Sequence, residues 1–321
     1  MNSNFRVVIT MAVCITVLSV AGDAATMYGG LGGQNGVSTA NGSLVTVSTA
    51  NGAVTVIGQP SGVSLISGLT FTSNGNLWGS TQNGGGNPPS GTVPPPVTTS
   101  NLVQINPITG AEISSVLINA NGTPISIADL ATQPGTDTIF GIQSPNDANF
   151  TGTANLYTIS TAGAAMLVGN TGVFFGAIAF APNGTLYMTS ADLNATGQSS
   201  NCAGADQLNC ALNTVNPSTA AILTSLSVPD FYAALGISPT GVIWAGNGAG
   251  DMGGPGVGQF FDGVSILNPT TGAATFVGNT GTNFVGDIAF QEAAPEPSSL
   301  ALFGIGMALL AARRLRRGVK I

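Results

Sequence analysis

The chain has 321 residues, of which 43% are hydrophobic and only 6% charged: six Lys and Arg, 13 Asp and Glu, and no His. Arg6 is the only cation before Arg313, so Val7–Ala312 contains no Lys, Arg or His and carries every acid. That interval therefore cannot neutralise phosphates, which excludes nucleic-acid binding, and it cannot build a Ser-His-Asp triad or a His-ligated metal site.

Residues 1–25 read as a secretory signal peptide. Arg6 is the positive n-region, and Val7–Val20 is an apolar stretch of 14 residues that predicts a signal helix. The stretch is shorter than the roughly 20 residues that a membrane span needs. Ala21, Gly22, Ala24 and Ala25 supply small residues, which puts cleavage after Ala24 or Ala25. Cys14, in Met11-Ala12-Val13-Cys14, does not make a lipoprotein box.

The body, assigned here to residues 26–292, repeats about every 54 residues. One phrase runs Gly68 to Trp78, and it recurs as Asp129 to Phe140, Gly176 to Tyr187 and Leu235 to Trp244. Each copy is a short apolar strand, a Gly-containing turn and a strand with an aliphatic–aromatic pair, which is a hairpin signature. A second phrase follows, as in Asn101 to Gly110 and Val264 to Gly272, with weaker copies at Leu44–Gly52, Leu156–Gly163 and Leu212–Ala220. It predicts a strand, a turn made by Asn, Pro, Thr and Gly, and a further strand. Four short antiparallel strands per repeat, with no helical pattern, predict propeller blades.

A fifth hairpin is split between the ends of the body. Gly286-Asp287-Ile288-Ala289-Phe290 lacks its second strand, and Met27-Tyr28-Gly29 supplies it. The predicted fold is all-β, a five-bladed β-propeller closed by pairing of the N- and C-terminal strands, which removes two free edges. Tyr28, Trp78, Phe140, Tyr187 and Trp244 then share one position and are expected to pack between blades. A β-solenoid is the rival architecture, but its coils repeat every 20 to 30 residues or fewer.

Long Gly-, Pro- and Asn-rich insertions fall at Gly29–Gly42, Thr81–Ser100, Gln143–Ala154, Ala191–Asn209 and Asn247–Asp262. All join a second to a third strand, so they gather on one face, where binding usually sits. Cys202 and Cys210 lie in and beside one of them and suit a small disulfide loop in an oxidising compartment. Asp129 and Asp287 share a repeat position whose other members are Gly68, Ala177 and Ala234. Two readings stand: a Ca²⁺ site completed by loop carbonyls, or carboxylates satisfied by local backbone amides. No other cofactor is implied.

Acid–base chemistry in this body falls to carboxylates, Tyr232 and hydroxyls. The body has only two Glu, with Glu112 early in a fourth strand and Glu292 in the linker before the tail. Asp129 with Asp287 is the one pair available to a carboxylate glycosidase, whose chemistry needs no other base.

Residues 293–321 are tripartite. Pro295-Glu296-Pro297 is followed by the apolar Leu300–Ala312, read as a short transmembrane helix, and then by Arg313, Arg314, Arg316 and Arg317. The four Arg suit a stop-transfer segment with its end held in the cytoplasm. This tail resembles the PEP-CTERM sorting signal of Gram-negative bacteria. The resemblance implies export, a transient inner-membrane intermediate, and cleavage at the Pro-Glu-Pro motif by an exosortase-type membrane protease. It also implies release or attachment in the cell envelope or extracellular matrix. The combined expectation is an exported, non-catalytic matrix protein that binds or scaffolds exopolysaccharide. The alternative is a carboxylate-dependent glycoside hydrolase of five-bladed propeller type.

The charge distribution makes one direct prediction. Trypsin, acting on native or denatured protein, yields no peptide that ends between Val7 and Ala312, and mass spectrometry of the digest checks it.

Overall fold

Alternating apolar residues bounded by Gly, Asn and Pro turns produce 22 strands in a computed structural model that describes residues 25–31, 42–63, 65–83, 99–143, 153–173, 176–190, 210–230, 232–246, 263–281 and 285–291. These strands form five sheets, antiparallel throughout except for one short parallel pair in the third. In the first blade β1 (Thr26–Leu31), β2 (Leu44–Val47) and β3 (Val54–Gly58) follow the last strand, β22 (Val285–Gln291), which is innermost. Tyr28 faces Ala289 and Gly29 faces Ile288, so the two ends of the body complete one blade.

The second blade is β4 (Ile66–Phe71), β5 (Leu77–Asn83), β6 (Thr99–Ile105) and β7 (Glu112–Leu117). A two-residue hairpin, β8 (Asn119–Ala120) and β9 (Thr123–Pro124), then leads to the third blade. That blade is β10 (Ile127–Thr132), β11 (Ile139–Gln143), β12 (Asn155–Ile159) and β13 (Ala164–Asn170). The fourth is β14 (Ile178–Phe180), β15 (Leu186–Ser190), β16 (Ala211–Val215) and β17 (Ile222–Ser227). The fifth is β18 (Ala234–Ile237), β19 (Ile243–Gly246), β20 (Gly263–Leu267) and β21 (Ala274–Asn279). The innermost strands β22, β4, β10, β14 and β18 neighbour one another in that order, and β18 returns to β22. The fold is the five-bladed propeller that the repeats predict.

The apolar core lies between blades. Each of five clusters of buried side chains joins one blade to the next. The repeated aromatic marks each of these seams. Tyr28 meets Phe71, Phe140 meets Phe180 and Trp244 meets Phe290, always on the following blade, with ring centroids 5.3, 5.2 and 6.3 Å apart. Trp78 and Tyr187 join the two remaining seams. These rings are structural, as expected.

A second contact repeats at the rim. The turn between third and fourth strands ends on a residue with positive φ: Gly52, Gly110, Gly163, Ala220 or Gly272. That residue rests on the end of the preceding blade's fourth strand. A Cβ at Gly110, for example, would lie 2.6 Å from Gly58 Cα. Ala220 is the one member with a side chain, and it faces Gly169.

Gly29–Leu31, Thr81–Asn83 and Thr99–Ser100, assigned to insertions by sequence, are strand residues, while residues 1–24, the interiors of the insertions and the apolar tail lie outside the described residues. Among the described residues, no helix is long and apolar enough to cross a membrane.

Two alanine substitutions separate backbone conformation from close approach. Gly184 has φ +84° and open space around it, so Gly184→Ala costs about 1 kcal/mol, the left-handed penalty alone. Gly110 has φ +70° and backbone in the way, so Gly110→Ala costs several-fold more. Denaturant unfolding of the two variants measures the difference.

Candidate functional site: an acid pair on the propeller axis

An innermost strand has one edge paired and the other turned toward the axis, where its N–H groups need acceptors. The register slips by one residue at Ser67 in β4 and at Ala128 in β10, and β22 slips in the same way at Gly286. Such bulges re-aim the residue that follows, here Gly68, Asp129 and Asp287. Asp129 and Asp287 are 1% and 0% exposed, and each hydrogen-bonds the other's side chain.

The amide after the shared repeat position donates to one of these carboxyls in all five blades. Asp129 accepts Leu130 N–H on Oδ1 at 2.7 Å and Ile178 N–H on Oδ2 at 2.6 Å. Asp287 accepts Leu69 N–H on Oδ2. Its Oδ1 accepts Ile288 N–H at 2.6 Å and Leu235 N–H at 3.4 Å. Two side chains from non-adjacent blades thus satisfy five converging backbone donors. The other three positions are small because the axis is full. A Cβ at Gly68 would sit 2.6 Å from Leu130 N and 2.8 Å from Asp129 Cα, and Ala177 and Ala234 are fully buried.

Burial, and then the neighbouring Asp287, push Asp129 well above the usual carboxylate range. Burial raises Asp287 to about 7, against the lowering effect of hydrogen bonds from Asp129, Leu69, Ile288 and Leu235. Asp287 has more donors and is the better carboxylate, while Asp129 carries the proton that joins them. Coupled acids titrate as a pair, and this pair retains protons to a higher pH than free carboxyls do.

The positive ends of five N–H dipoles surround these oxygens. That is a cradle for negative charge, whereas Ca²⁺ is held by oxygen ligands. Among the described residues, no group of three or more His, Cys, Asp or Glu comes together. Tyr232 is 2% exposed, and burial, followed by Asp230, pushes its hydroxyl up to about 12. It stays protonated at neutral pH. Glu112 begins β7, an outermost strand. Cys210 is buried and disulfide-bonded. Cys202, Ala24, Glu292, Pro295, Glu296, Pro297, Arg313, Arg314, Arg316 and Arg317 lie outside the described residues.

The sequence reading missed a set of buried hydroxyls at the end of the ring where the innermost strands begin. Ser67 Oγ and Ser100 Oγ both donate to Ile127 O, at 3.3 and 3.2 Å, and Ser80 Oγ lies 3.1 Å from Ser67 Oγ. Thr189 Oγ1 donates to Tyr232 O at 2.7 Å, and Asn213 Nδ2 donates to Ser190 Oγ at 2.7 Å. Ser and Thr are ordinary strand residues by composition, so nothing local distinguished them.

The acid pair sets a pH dependence of stability. Its folded pKa lies above the unfolded value of about 3.8, so the native state holds the extra proton. The stabilisation is complete below the unfolded value and is lost as pH rises toward and through about 7. Melting temperature therefore falls from mildly acidic to mildly alkaline buffer. Asp287→Asn leaves Asp129 without a charged neighbour and flattens that fall. Exposed Asp137, held low by hydrogen bonds from Ser73, works in the opposite sense and is unaffected by the substitution.

Comparison with known proteins identifies the tail. Residues 293–317 match the PEP-CTERM protein-sorting motif. No curated protein matches the sequence. Among solved structures, the chain is similar to a Bacteroides caccae protein of unknown function, with 11% identity, a TM-score of 0.48 and coverage of 84% of this chain and 99% of that one. It is similar to the periplasmic gluconolactonase PpgL of Pseudomonas aeruginosa, with 13% identity, a TM-score of 0.41 and coverage of 85% and 100%. It also spans about half (47%) of a hydrazine synthase chain of Kuenenia stuttgartiensis, using 65% of its own length, with 14% identity and a TM-score of 0.39. The chain is a five-bladed β-propeller that carries a PEP-CTERM sorting motif, and it is exported and processed at the membrane.

Proposed function

We propose that the protein is a non-catalytic component of the cell envelope or extracellular matrix that binds or scaffolds exopolysaccharide. The observation that carries this reading is the sorting motif joined to a body whose buried carboxylate pair, Asp129 and Asp287, is fully engaged by its own backbone. Glycoside hydrolysis needs two carboxyls held about 5 Å or more apart across a sugar. Asp129 and Asp287 instead hydrogen-bond each other and five amides. The same engagement supports a body that works without Ca²⁺.

The composition narrows the polysaccharide. The five long insertions offer Asn, Ser, Thr and backbone groups for hydrogen bonding, while the body has acids and no cation. Such a composition hydrogen-bonds neutral sugars without charge repulsion and repels uronate-rich polymers.

Two measurements on the full chain test this reading. Co-sedimentation with host exopolysaccharide separated into neutral and acidic pools is expected to show retention by the neutral pool only. Incubation with either pool is expected to release no reducing ends. Sugar release that disappears in Asp129→Asn would replace this reading with the hydrolase. Retention by neither pool would remove the polysaccharide as a partner. Melting with Ca²⁺ or EDTA is expected to give one value, since a native-state ligand must raise it. A Ca²⁺-dependent rise lost in Asp287→Asn would establish a metal site.

A further inference from the structure

Asn is a chemically labile residue, and most of all before Gly, which has no Cβ to screen its own nitrogen. The Gly nitrogen, once it loses its proton, attacks the Asn side-chain carbonyl carbon and expels ammonia. Water then opens the resulting succinimide to aspartate or isoaspartate. Neither partner is free to react while other hydrogen bonds hold it, so the fold selects which pair reacts. Four Asn–Gly pairs lie wholly within the described residues: Asn51-Gly52, Asn74-Gly75, Asn121-Gly122 and Asn183-Gly184.

Three of them are locked by their own turns. The Oδ1 atoms of Asn51, Asn74 and Asn183 accept the N–H groups of Ala53, Asn76 and Thr185, at 3.2, 3.2 and 3.0 Å. The Gly N–H groups donate back into the turns, from Gly52 to Ser48 O at 2.8 Å, from Gly75 to Thr72 O at 2.9 Å and from Gly184 to Ala181 O at 2.9 Å.

The fourth pair differs on both counts. Asn121 and Gly122 are the exposed tip of the β8–β9 hairpin, with φ of 51° and 81°, as a two-residue type I′ loop requires. Ala120 pairs with Thr123 across this loop, which leaves the Gly122 N–H outside the ladder. Among the described residues, nothing accepts from the Gly122 N–H and nothing bonds the Asn121 side chain. Nothing lies within 4 Å of the place that a Gly122 Cβ would take, so the peptide has room to turn toward the carboxamide. The base of the hairpin is held separately, by Asn119 N–H on Gly163 O at 2.9 Å and Ile125 N–H on Ile118 O at 3.1 Å.

We propose that Asn121 is a self-modification site, at which attack by the Gly122 nitrogen converts the side-chain amide to a carboxylate. One water is consumed and one ammonia leaves. The product adds a negative charge to an exposed hairpin tip, in a body with no cation to offset it. In the isoaspartate form the main chain runs through the side chain and is one carbon longer, which the two-residue loop cannot hold in its present geometry. The short pairing of β8 with Ala164 and Ala165 is then the contact that loosens. This inference is independent of what the protein binds.

The full chain, kept native in mildly alkaline heavy-oxygen water and then digested with pepsin in acid, tests the proposal. Mass spectrometry is expected to find labelled aspartate and isoaspartate at position 121, and intact Asn51, Asn74 and Asn183. In denaturant all four positions react, because the turns are gone. Gly122→Ala loses the product, since its Cβ screens the attacking nitrogen. Open space around Gly122 accommodates that Cβ, and a melting curve confirms that the variant is folded. No product at Asn121 in native protein, where denatured protein reacts, overturns the proposal. Reaction of Asn51, Asn74 or Asn183 as fast as Asn121 overturns it by showing that the turn bonds do not select the site. Undiminished product in Gly122→Ala overturns the assignment of the nucleophile.

Discussion

Five unpaired strand edges converge on one axis, and their amides must find acceptors there. The rest of the structure depends on how that requirement is met. Two carboxyls from non-adjacent blades accept all five donors, so the hub links blades that share no seam. The apolar clusters lie between blades. No blade therefore buries its own core, and each needs both neighbours. Closure by β1 on β22 is then a condition of stability for every seam, because an open ring would expose two inter-blade faces and the hub together.

The composition explains the chemistry of that hub. A buried carboxylate is ordinarily offset by a cation, but no Lys, Arg or His is present between Val7 and Ala312. Two means remain for holding Asp129 and Asp287 in a dry interior: amide hydrogen bonds and a shared proton. Both are used. The raised pKa values follow from the cation-free body as directly as from the burial itself. The same scarcity of charge leaves the rim without the Lys residues that usually protect strand edges. Hub and rim are two outcomes of one composition.

The architecture was legible because its signals are local and repeated. The strand–turn–strand phrases, the turn residues and the split fifth hairpin recur often enough to reveal period and closure. The equivalence of Asp129 and Asp287 was also legible, since it is a matter of alignment. Their direct hydrogen bond and their hold on all five blades were not, because these depend on bulges at Ala128 and Gly286 that turn residues 158 positions apart toward the axis. The β8–β9 hairpin was missed despite its Asn121-Gly122 turn, with φ of 51° and 81° at those residues. Its strands are two residues long, too short for alternation to register. The rim contacts at Gly58 and Gly110 are likewise backbone against backbone, and a sequence records them only as two glycines among 46.

The two ends of the ring differ in what they carry. Second-to-third strand connections leave from the end where Asp129 and Asp287 begin the axis. Gln291 and Thr26, paired at the opposite end of β22 and β1, mark where the chain enters and leaves the propeller. The residues that carry the sorting motif follow directly from Gln291. The matched motif, residues 293–317, therefore includes no strand of the first blade. Every described strand of the ring precedes residue 293, so closure, hub and seams draw on no residue of the sorting motif.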